Sequence, residues 1–317
     1  MKVSHIICTR NRAAQLRTTF KTFNLTQMKS QQIELVLVDS SSTDDTVKVM
    51  EEFASVYPKT RIVKAGKGLG RARNAGINAA SGDLIAFTDD DCYLDENYYQ
   101  ALRVLFAEPR QFHYGMGQIL LYDDDDDGRI AVAWVSKPTV IKPGTALPTG
   151  TFQGANIFFL REVFEKAGKF RDDMGSGTPF PCEDIEFATR CSLAGFTGVF
   201  TPLVKVFHHH GRKAGSKEAN ETVIGYETGR GAYYGSMIVD GRTEAWKLWL
   251  ATTYTQGKPP SPAVLQRIER EFRGAADYIR YRLEQGDAPG SEPQRAENAM
   301  QDNAERHSPK PAQAAKG

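Results

Sequence analysis

Four short apolar runs, Val3 to Cys8, Leu35 to Asp39, Arg61 to Lys64 and Leu84 to Thr88, alternate with helical segments along the first ninety or so residues. Strands punctuated by helices in this way build βαβ units, so the pattern predicts an α/β fold with a doubly wound, mostly parallel sheet. The intervening helices are expected at Ala13 to Met28, at Thr43 to Val56 behind the capping cluster Ser41 to Asp45, and at Arg71 to Ala80. After Asp95 the order is less regular: a helix through Phe106, strands at Tyr114 to Tyr122 and Ala155 to Leu160, and a helix opened by Pro181 to Asp184. A strand at Leu203 to Phe207 then ends in His208, His209 and His210. This mixed order predicts antiparallel additions to the sheet.

Beyond Lys217 the chain reads as helical. Leu265, Ile268, Phe272, Ala276, Ile279 and Leu283 recur at helical spacing and mark one apolar face ending near Gln285. Residues 286–317 are polar, rich in Pro, Ala and Gln, and without periodicity, which predicts a disordered tail. The expected organisation is therefore a catalytic domain over 1–217, a C-terminal helical extension over 218–285 and the tail.

A chain of 317 residues is long enough for a sizeable core, and its 40 basic and 39 acidic residues nearly cancel. That balance offers no general attraction for nucleic acid or for an anionic membrane. No apolar stretch reaches the roughly 20 residues that span a bilayer, and the opening MKVSHIIC reads as a strand rather than a signal peptide, so a cytoplasmic location is expected. The cysteines, Cys8, Cys92, Cys182 and Cys191, show neither CxxC nor metal-ligand spacing and are read as free thiols.

In doubly wound sheets ligands bind beyond the carboxyl ends of the strands. Polar clusters follow three of the strands: Thr9 to Arg12, Asp39 to Ser42, and Asp89 to Asp91. Together they describe one pocket. The segment LIAFTDDDC delivers three carboxylates at a strand end, where hard oxygen ligands suit Mg2+ or Mn2+ bridging to substrate phosphates. The longer acidic run Asp123 to Asp127 lacks polar partners at matching strand ends and is expected to be an exposed turn. GKGLGRARNAG is a weak nucleotide loop, yet Arg71 and Arg73 stand near a helix N-terminus where an anionic diphosphate would be met. Glu183 and Asp184 open another helix, whose dipole favours ionised carboxylates, as a general base requires. Strand alternation puts His208 and His210 on one face and His209 on the other, and neutral imidazole is a ligand for divalent metals.

In order, the chain gives CTRNR, LVLVDSSSTDDT, GLGRARNAGINAASGDLIAFTDDDC, GANIFFLREVFEKAGKF, EDIEFATRCSLAGF and HHHGR. This succession over the first two thirds resembles the inverting family-2 glycosyltransferases with the A-type fold. The resemblance implies that Thr9 and Arg10 line a nucleotide site, Asp39 accepts a hydrogen bond from a pyrimidine base, and Arg73 and Asp90 belong to the donor site. It implies that Asp89 holds ribose or sugar, Asp91 binds Mn2+ or Mg2+ with either His208 or His210, and Asp184 is the catalytic base. Gly154, Asn156 and Glu183 are implied to border the sugar and the acceptor.

The implied donor is a nucleoside-diphosphate sugar. A UDP-sugar leads and thymidine and guanosine diphosphates stay open. The implied acceptor is a hydroxyl of a glycan, polysaccharide or glycolipid, attacked with inversion. One rival is a sugar-nucleotide nucleotidyltransferase, but those proteins carry a glycine-rich loop after the first strand and CTRNR holds no glycine. A processive synthase lacks support because there is neither a membrane span nor a QxxRW motif. An inactive sugar- or nucleotide-binding module is the non-enzymatic rival. The chain departs from the family where Tyr93, Leu94 and Asp95 lack its usual proline, where Asp123 to Asp127 reads as an insertion, and in the helices after Lys217. There Trp246, Trp249 and Leu250 are expected to pack in a core, the alternatives being a homodimer contact or a peripheral contact with the inner membrane face.

Overall fold

The chain begins as β1 (Val3–Thr9), α1 (Ala13–Lys21), α2 (Leu25–Ser30), β2 (Glu34–Asp39), α3 (Thr46–Val56), β3 (Thr60–Lys64), α4 (Leu69–Ala79) and β4 (Leu84–Thr88) in a computed structural model that describes residues 1–242, 244–253 and 259–286. These strands lie parallel in the order β3-β2-β1-β4. Helices cover the sheet, so β2 and β4 are buried throughout, and Leu35 to Val38 and Leu84 to Phe87 read as unbroken apolar runs. The single helix expected from Ala13 to Met28 is broken in two. Asn24 starts a new helix by accepting the Gln27 N–H at 3.0 Å, while Phe23 turns inward against Phe20 and Phe53.

Then follow β5 (Cys92–Leu94), α5 (Tyr98–Leu105), β6 (Tyr114–Leu121), β7 (Thr139–Ile141), β8 (Asn156–Leu160), α6 (Arg161–Ala167), α7 (Glu183–Leu193), β9 (Gly198–His208), α8 (Lys217–Val239), α9 (Glu244–Thr253) and α10 (Pro262–Glu284). β8 is antiparallel to β4, β6 to β8, and both β5 and β7 to β9, while β6 and β9 are parallel. The antiparallel additions are thus present. β9 begins at Gly198, ahead of the expected Leu203, because its register against β6 jumps between Gly117 and Gln118. Pro202 falls in that jump, where a residue without an N–H costs no ladder bond.

The run Asp123 to Asp127 is an exposed turn only in part: Asp124 and Asp125 are exposed in a turn, but Asp126 and Asp127 are buried. Asp126 accepts the Gly211 N–H at 2.9 Å and pairs with Lys213 at 3.1 Å, and the Asp127 N–H bonds the Arg212 carbonyl. A cation and an N–H from the segment after β9 thus give the Asp126 carboxylate partners that neighbouring sequence does not reveal, while the Asp127 carboxylate pairs locally with Arg129 at 2.6 Å.

The C-terminal helices join the core of the sheet through Tyr233, Tyr234, Met237, Trp249 and Ala275. A Cβ on Gly231 would lie 1.9 Å from the Glu271 carbonyl oxygen, and one on Gly274 2.1 Å from that of Thr228. Contact this close selects the face of α10 carrying Glu271, Gly274, Ala275, Tyr278 and Arg282, and leaves Leu265, Phe272 and Leu283 of the expected apolar face exposed. Trp249 is buried, stacks on Tyr234 and donates its indole N–H to Glu271 at 2.7 Å, whereas Trp246 and Leu250 are largely exposed. Within the described residues no helix is long and apolar enough to cross a membrane. The cysteines are free. The expected tail lies outside the described residues apart from its first position, Gly286.

Glu186 on α7 is buried between Arg171, 2.9 Å away, and Arg190, 2.7 Å away. Burial alone raises its pKa, but the two guanidiniums outweigh that and hold it at about 2. Its contribution to stability is complete above the ordinary glutamate value and is lost as pH falls toward 2. Glu186→Gln leaves two cations facing each other in a dry site, and we expect a loss of about 3–5 kcal/mol in urea unfolding at pH 7.

Candidate active site

β1 pairs with β2 on one side and with β4 on the other. The connections leaving β1 and β4 therefore part at a topological switch point, and a crevice opens there. Its outer chamber, of about 400 Å³, is lined by Thr9, Arg10, Asn11 and Arg12 from one loop, Ser40 from the second, and Asp89, Asp90 and Asp91 from the third. The three clusters do form one pocket. Asn11 and Ser41 adopt positive φ, and the loops are tied together where Asn11 N–H donates to Ser42 Oγ and Thr43 N–H to Asn11 Oδ1. Asp39 does not line the chamber; it is buried beneath it and accepts the Ser42 N–H at 3.0 Å.

Asp90 and Asp91 are buried, whereas the Asp89 side chain is partly exposed. Thr9 Oγ1 donates to Asp90, while Arg12 reaches Asp90 Oδ1 at 2.8 Å and Asp91 Oδ2 at 2.5 Å. Burial raises Asp90 to about 7 despite Arg12, and burial with the neighbouring Asp91 raises Asp89. Asp91 goes the other way: burial opposes ionisation, but the His208 hydrogen bond and charge hold it low. His208 Nδ1 lies 3.2 Å from the Ala131 carbonyl, which requires a proton on Nδ1, and its Nε2 faces Asp91 Oδ1 at 3.1 Å. With Nδ1 so committed, Nε2 and the carboxylate attract only through a second proton or a shared cation.

Ligating atoms of Asp91, Cys92 and His208 all lie within 4.8 Å of one another. Carboxylate and imidazole are donors that suit a divalent cation such as Mn2+ or Mg2+. Cys92 fits this set poorly, because burial lifts its thiol well above the usual range and Sγ bonds the Ala155 carbonyl. Of the two candidate histidines, His208 is the one brought to Asp91. His210 stacks edge-on to it, accepts the Arg212 N–H at 3.0 Å and sits against Asp126.

An inner chamber of about 230 Å³ shares Leu69, Asp89, Ala131, Ser176 and Tyr226 with the outer one. Glu183 and Asp184 enter it from the first turn of α7, where Cys182 takes a left-handed conformation (φ 84°) and redirects the chain. Asp184 Oδ2 accepts the Gly154 N–H at 2.6 Å and Oδ1 accepts the Ile185 N–H at 2.7 Å. Burial raises the Asp184 pKa, opposed by Arg73 and by those two N–H groups. Arg73 is itself buried, over the rings of Phe87 and Phe170. It bonds Glu183 at 2.5 Å and the Gly154 carbonyl at 3.2 Å, and lies 4.0 Å from Asp89. The guanidinium thus joins the two chambers. Asn156 does not reach either: it is fully buried in β8, donates to the Gln118 and Val204 carbonyls and accepts from Tyr98.

Tyr226 and Arg230 carry no local sequence signal that marks them as site residues, and nothing near Arg12 in sequence points to its pairing with Asp90 and Asp91. Tyr226 and Arg230 line the inner chamber from α8 and stand four residues apart, one turn on one helix face. The C-terminal helical extension therefore forms a wall of the site. A wider cleft of about 1060 Å³ at the amino end of the sheet is lined by Lys2, Glu34, Arg61 and Arg103; Arg61 pairs loosely with Glu34 and Arg103 bonds main-chain carbonyls, so their charges are already committed.

The model of the family described as "Glycosyl transferase family 2" matches residues 4–168. The putative glycosyltransferase EpsH of Bacillus subtilis is 30% identical over 101 residues, covering 32% of this chain and 29% of its own length. The mannosyltransferase PcManGT from Pyrobaculum calidifontis, solved in complex with GDP-Man and Mn2+, superposes with a TM-score of 0.55 at 18% identity over 94% of this chain and 80% of its own. S. aureus TarS 1-349 in complex with UDP-GlcNAc gives 0.54 at 15% identity over 88% and 81%. At these identities the structural likeness establishes the fold.

Proposed function

The chain belongs to glycosyl transferase family 2, and on that premise we propose that it moves a sugar from a nucleoside-diphosphate sugar, with UDP as the nucleotide, to an acceptor hydroxyl with inversion. The observation that carries this reading is the pair of chambers meeting at Asp89, one lined by donor-type groups and the other by a buried, hydrogen-bonded carboxylate on a helix N-terminus. Thr9, Arg10 and Asp90 hold the nucleotide side, with Asp39 behind the Ser40 wall. Asp89 and Arg73 face the junction where the sugar lies. Asp184 takes the proton of the acceptor hydroxyl as that oxygen attacks the anomeric carbon, and the nucleoside diphosphate departs on the opposite side. Gly154 and Glu183 border the acceptor, and Glu183 fixes Arg73 by a buried ion pair.

Asp91 and His208 are the residues that would hold Mn2+ or Mg2+, which when bound neutralises charge on the leaving diphosphate. One carboxylate suffices for a single displacement with inversion. The acceptor is a glycan or glycolipid hydroxyl. An inactive binding module is the competing reading, and turnover separates the two.

Calorimetric titration of UDP, dTDP and GDP, each with and without Mn2+, tests the donor assignment. We expect UDP to bind best and to bind more tightly with the metal than without it; no metal-dependent binding of any of the three would overturn the reading. Proton NMR of the product reads the anomeric configuration. Gly154→Ala supplies a geometric check, since its Cβ would lie 2.4 Å from Arg73 Nη2. Displacing the guanidinium by about an ångström should lower kcat by about 10²-fold while UDP affinity stays close to that of the unaltered chain.

A further inference from the structure

We propose that the groove leading away from the Asp184 chamber binds the second sugar of an acceptor glycan, with Trp134 as its stacking platform. The proposal rests on the transferase reading and names its acceptor as an oligosaccharide of at least two rings. The inner chamber, at about 230 Å³, falls below the roughly 300–1,000 Å³ of ordinary ligand pockets, so an acceptor larger than one sugar must extend beyond it. Gly150 and Gln153 line both that chamber and an adjoining groove of about 660 Å³. The groove is therefore the continuation of the acceptor site.

Trp134 stands on this groove with 68% of its surface exposed, and Val140 beside it is 51% exposed. The main chain around Trp134 is held by hydrogen bonds on both sides. Ala133 is doubly bonded to Ile119 at 2.9 Å, the Val132 carbonyl accepts from Gln153 at 3.0 Å, and the Val135 carbonyl accepts from Gln118 at 2.6 Å. The main chain is pinned on both sides of an indole left in solvent. An aromatic face held ready in this way suits a ligand with a flat apolar face of its own, since little freedom is lost on contact.

The remaining lining says which ligand. Thr139, Lys142, Thr145 and Thr151 are exposed around the same groove, interleaved with Val140, Leu147 and Phe200. A pyranose presents C–H groups on its faces and hydroxyls on its edge, and meets both kinds of wall. An isoprenoid chain would strip water from those hydroxyls and the ammonium and return no hydrogen bonds.

The full chain, saturated with UDP and Mn2+, is titrated by saturation-transfer NMR with glucose, galactose, mannose and N-acetylglucosamine. It is then titrated with the α- and β-linked disaccharides built from them, and with farnesyl phosphate as the lipid probe. We expect at least one disaccharide to bind about tenfold tighter than its own monosaccharide, and Trp134→Ala to erase that gain without changing the monosaccharide or UDP affinity. Trp134→Phe should keep part of the gain, which loss of folding would not allow. The proposal is overturned if no disaccharide outbinds its monosaccharide, if the gain survives Trp134→Ala, or if farnesyl phosphate is the ligand whose binding that substitution removes. Failure of UDP, dTDP and GDP alike to bind with Mn2+ would instead bring down the transferase reading, because the disaccharide preference is measured without turnover.

Discussion

Asp184→Asn is expected to lower single-turnover sugar transfer by about 10²–10⁴-fold, the range that general base catalysis supplies, while UDP and Mn2+ bind as before. The separation is expected because Asp184 lines the inner chamber and not the outer one. The substitution also has a local cost. Asp184 accepts the Gly154 N–H on one oxygen and the Ile185 N–H on the other, whereas an asparagine has one oxygen and must turn its own N–H2 toward one of these donors. That clash is worth about 1–3 kcal/mol and should appear as a lower urea midpoint. A loss of turnover accompanied by an equal loss of UDP binding would make Asp184 a helix cap and not a base. The pH profile gives a second reading. A base must be ionised, and burial lifts the Asp184 pKa above the ordinary aspartate value. Transfer should therefore rise with pH along an acid limb lying above the usual aspartate range, and Asp184→Asn should flatten that limb.

What was legible in the sequence was whatever local pattern determines. The four parallel strands, the polar loops at their carboxyl ends and the carboxylates opening α7 follow from short-range rules, and the structure brings those loops into one crevice. The features that escaped depend on partners distant in the chain. Asp126 is buried because the segment after β9 folds over it. Gly231 and Gly274 turn α10 toward its small residues and override the apolar stripe. Arg12 looks like any loop arginine until β1 and β4 become neighbours and it bridges Asp90 and Asp91. Asn156 shows the converse. Its motif suggested the acceptor site, yet its amide is spent on the carbonyls of β6 and β9.

Arg12 also shapes the second large effect, expected from Asp91→Ala. Asp91 Oδ2 is taken by Arg12, while Oδ1 faces His208 Nε2 at 3.1 Å and is otherwise buried without a hydrogen-bond partner among the described residues. A divalent cation entering this cluster competes with a guanidinium for the same carboxylate, so the observed metal affinity is already reduced by that contact. Removing Asp91 leaves His208 alone as a strong protein ligand and should abolish the metal-dependent gain in UDP affinity, a fall of about 10²–10³-fold if the ion contributes several kcal/mol. Metal-free binding of UDP should behave differently. With Asp91 gone, Arg12 keeps one carboxylate partner, Asp90, in place of two, and one arm of the guanidinium is then available to an anionic diphosphate. UDP affinity in the presence of EDTA should therefore hold or increase slightly in Asp91→Ala. Arg12→Ala should move both quantities the other way, tightening Mn2+ binding measured by electron paramagnetic resonance and weakening metal-free UDP binding. If Asp91→Ala lowered UDP affinity equally with and without Mn2+, the carboxylate would be a contact for the nucleotide and the cation would have to be held elsewhere.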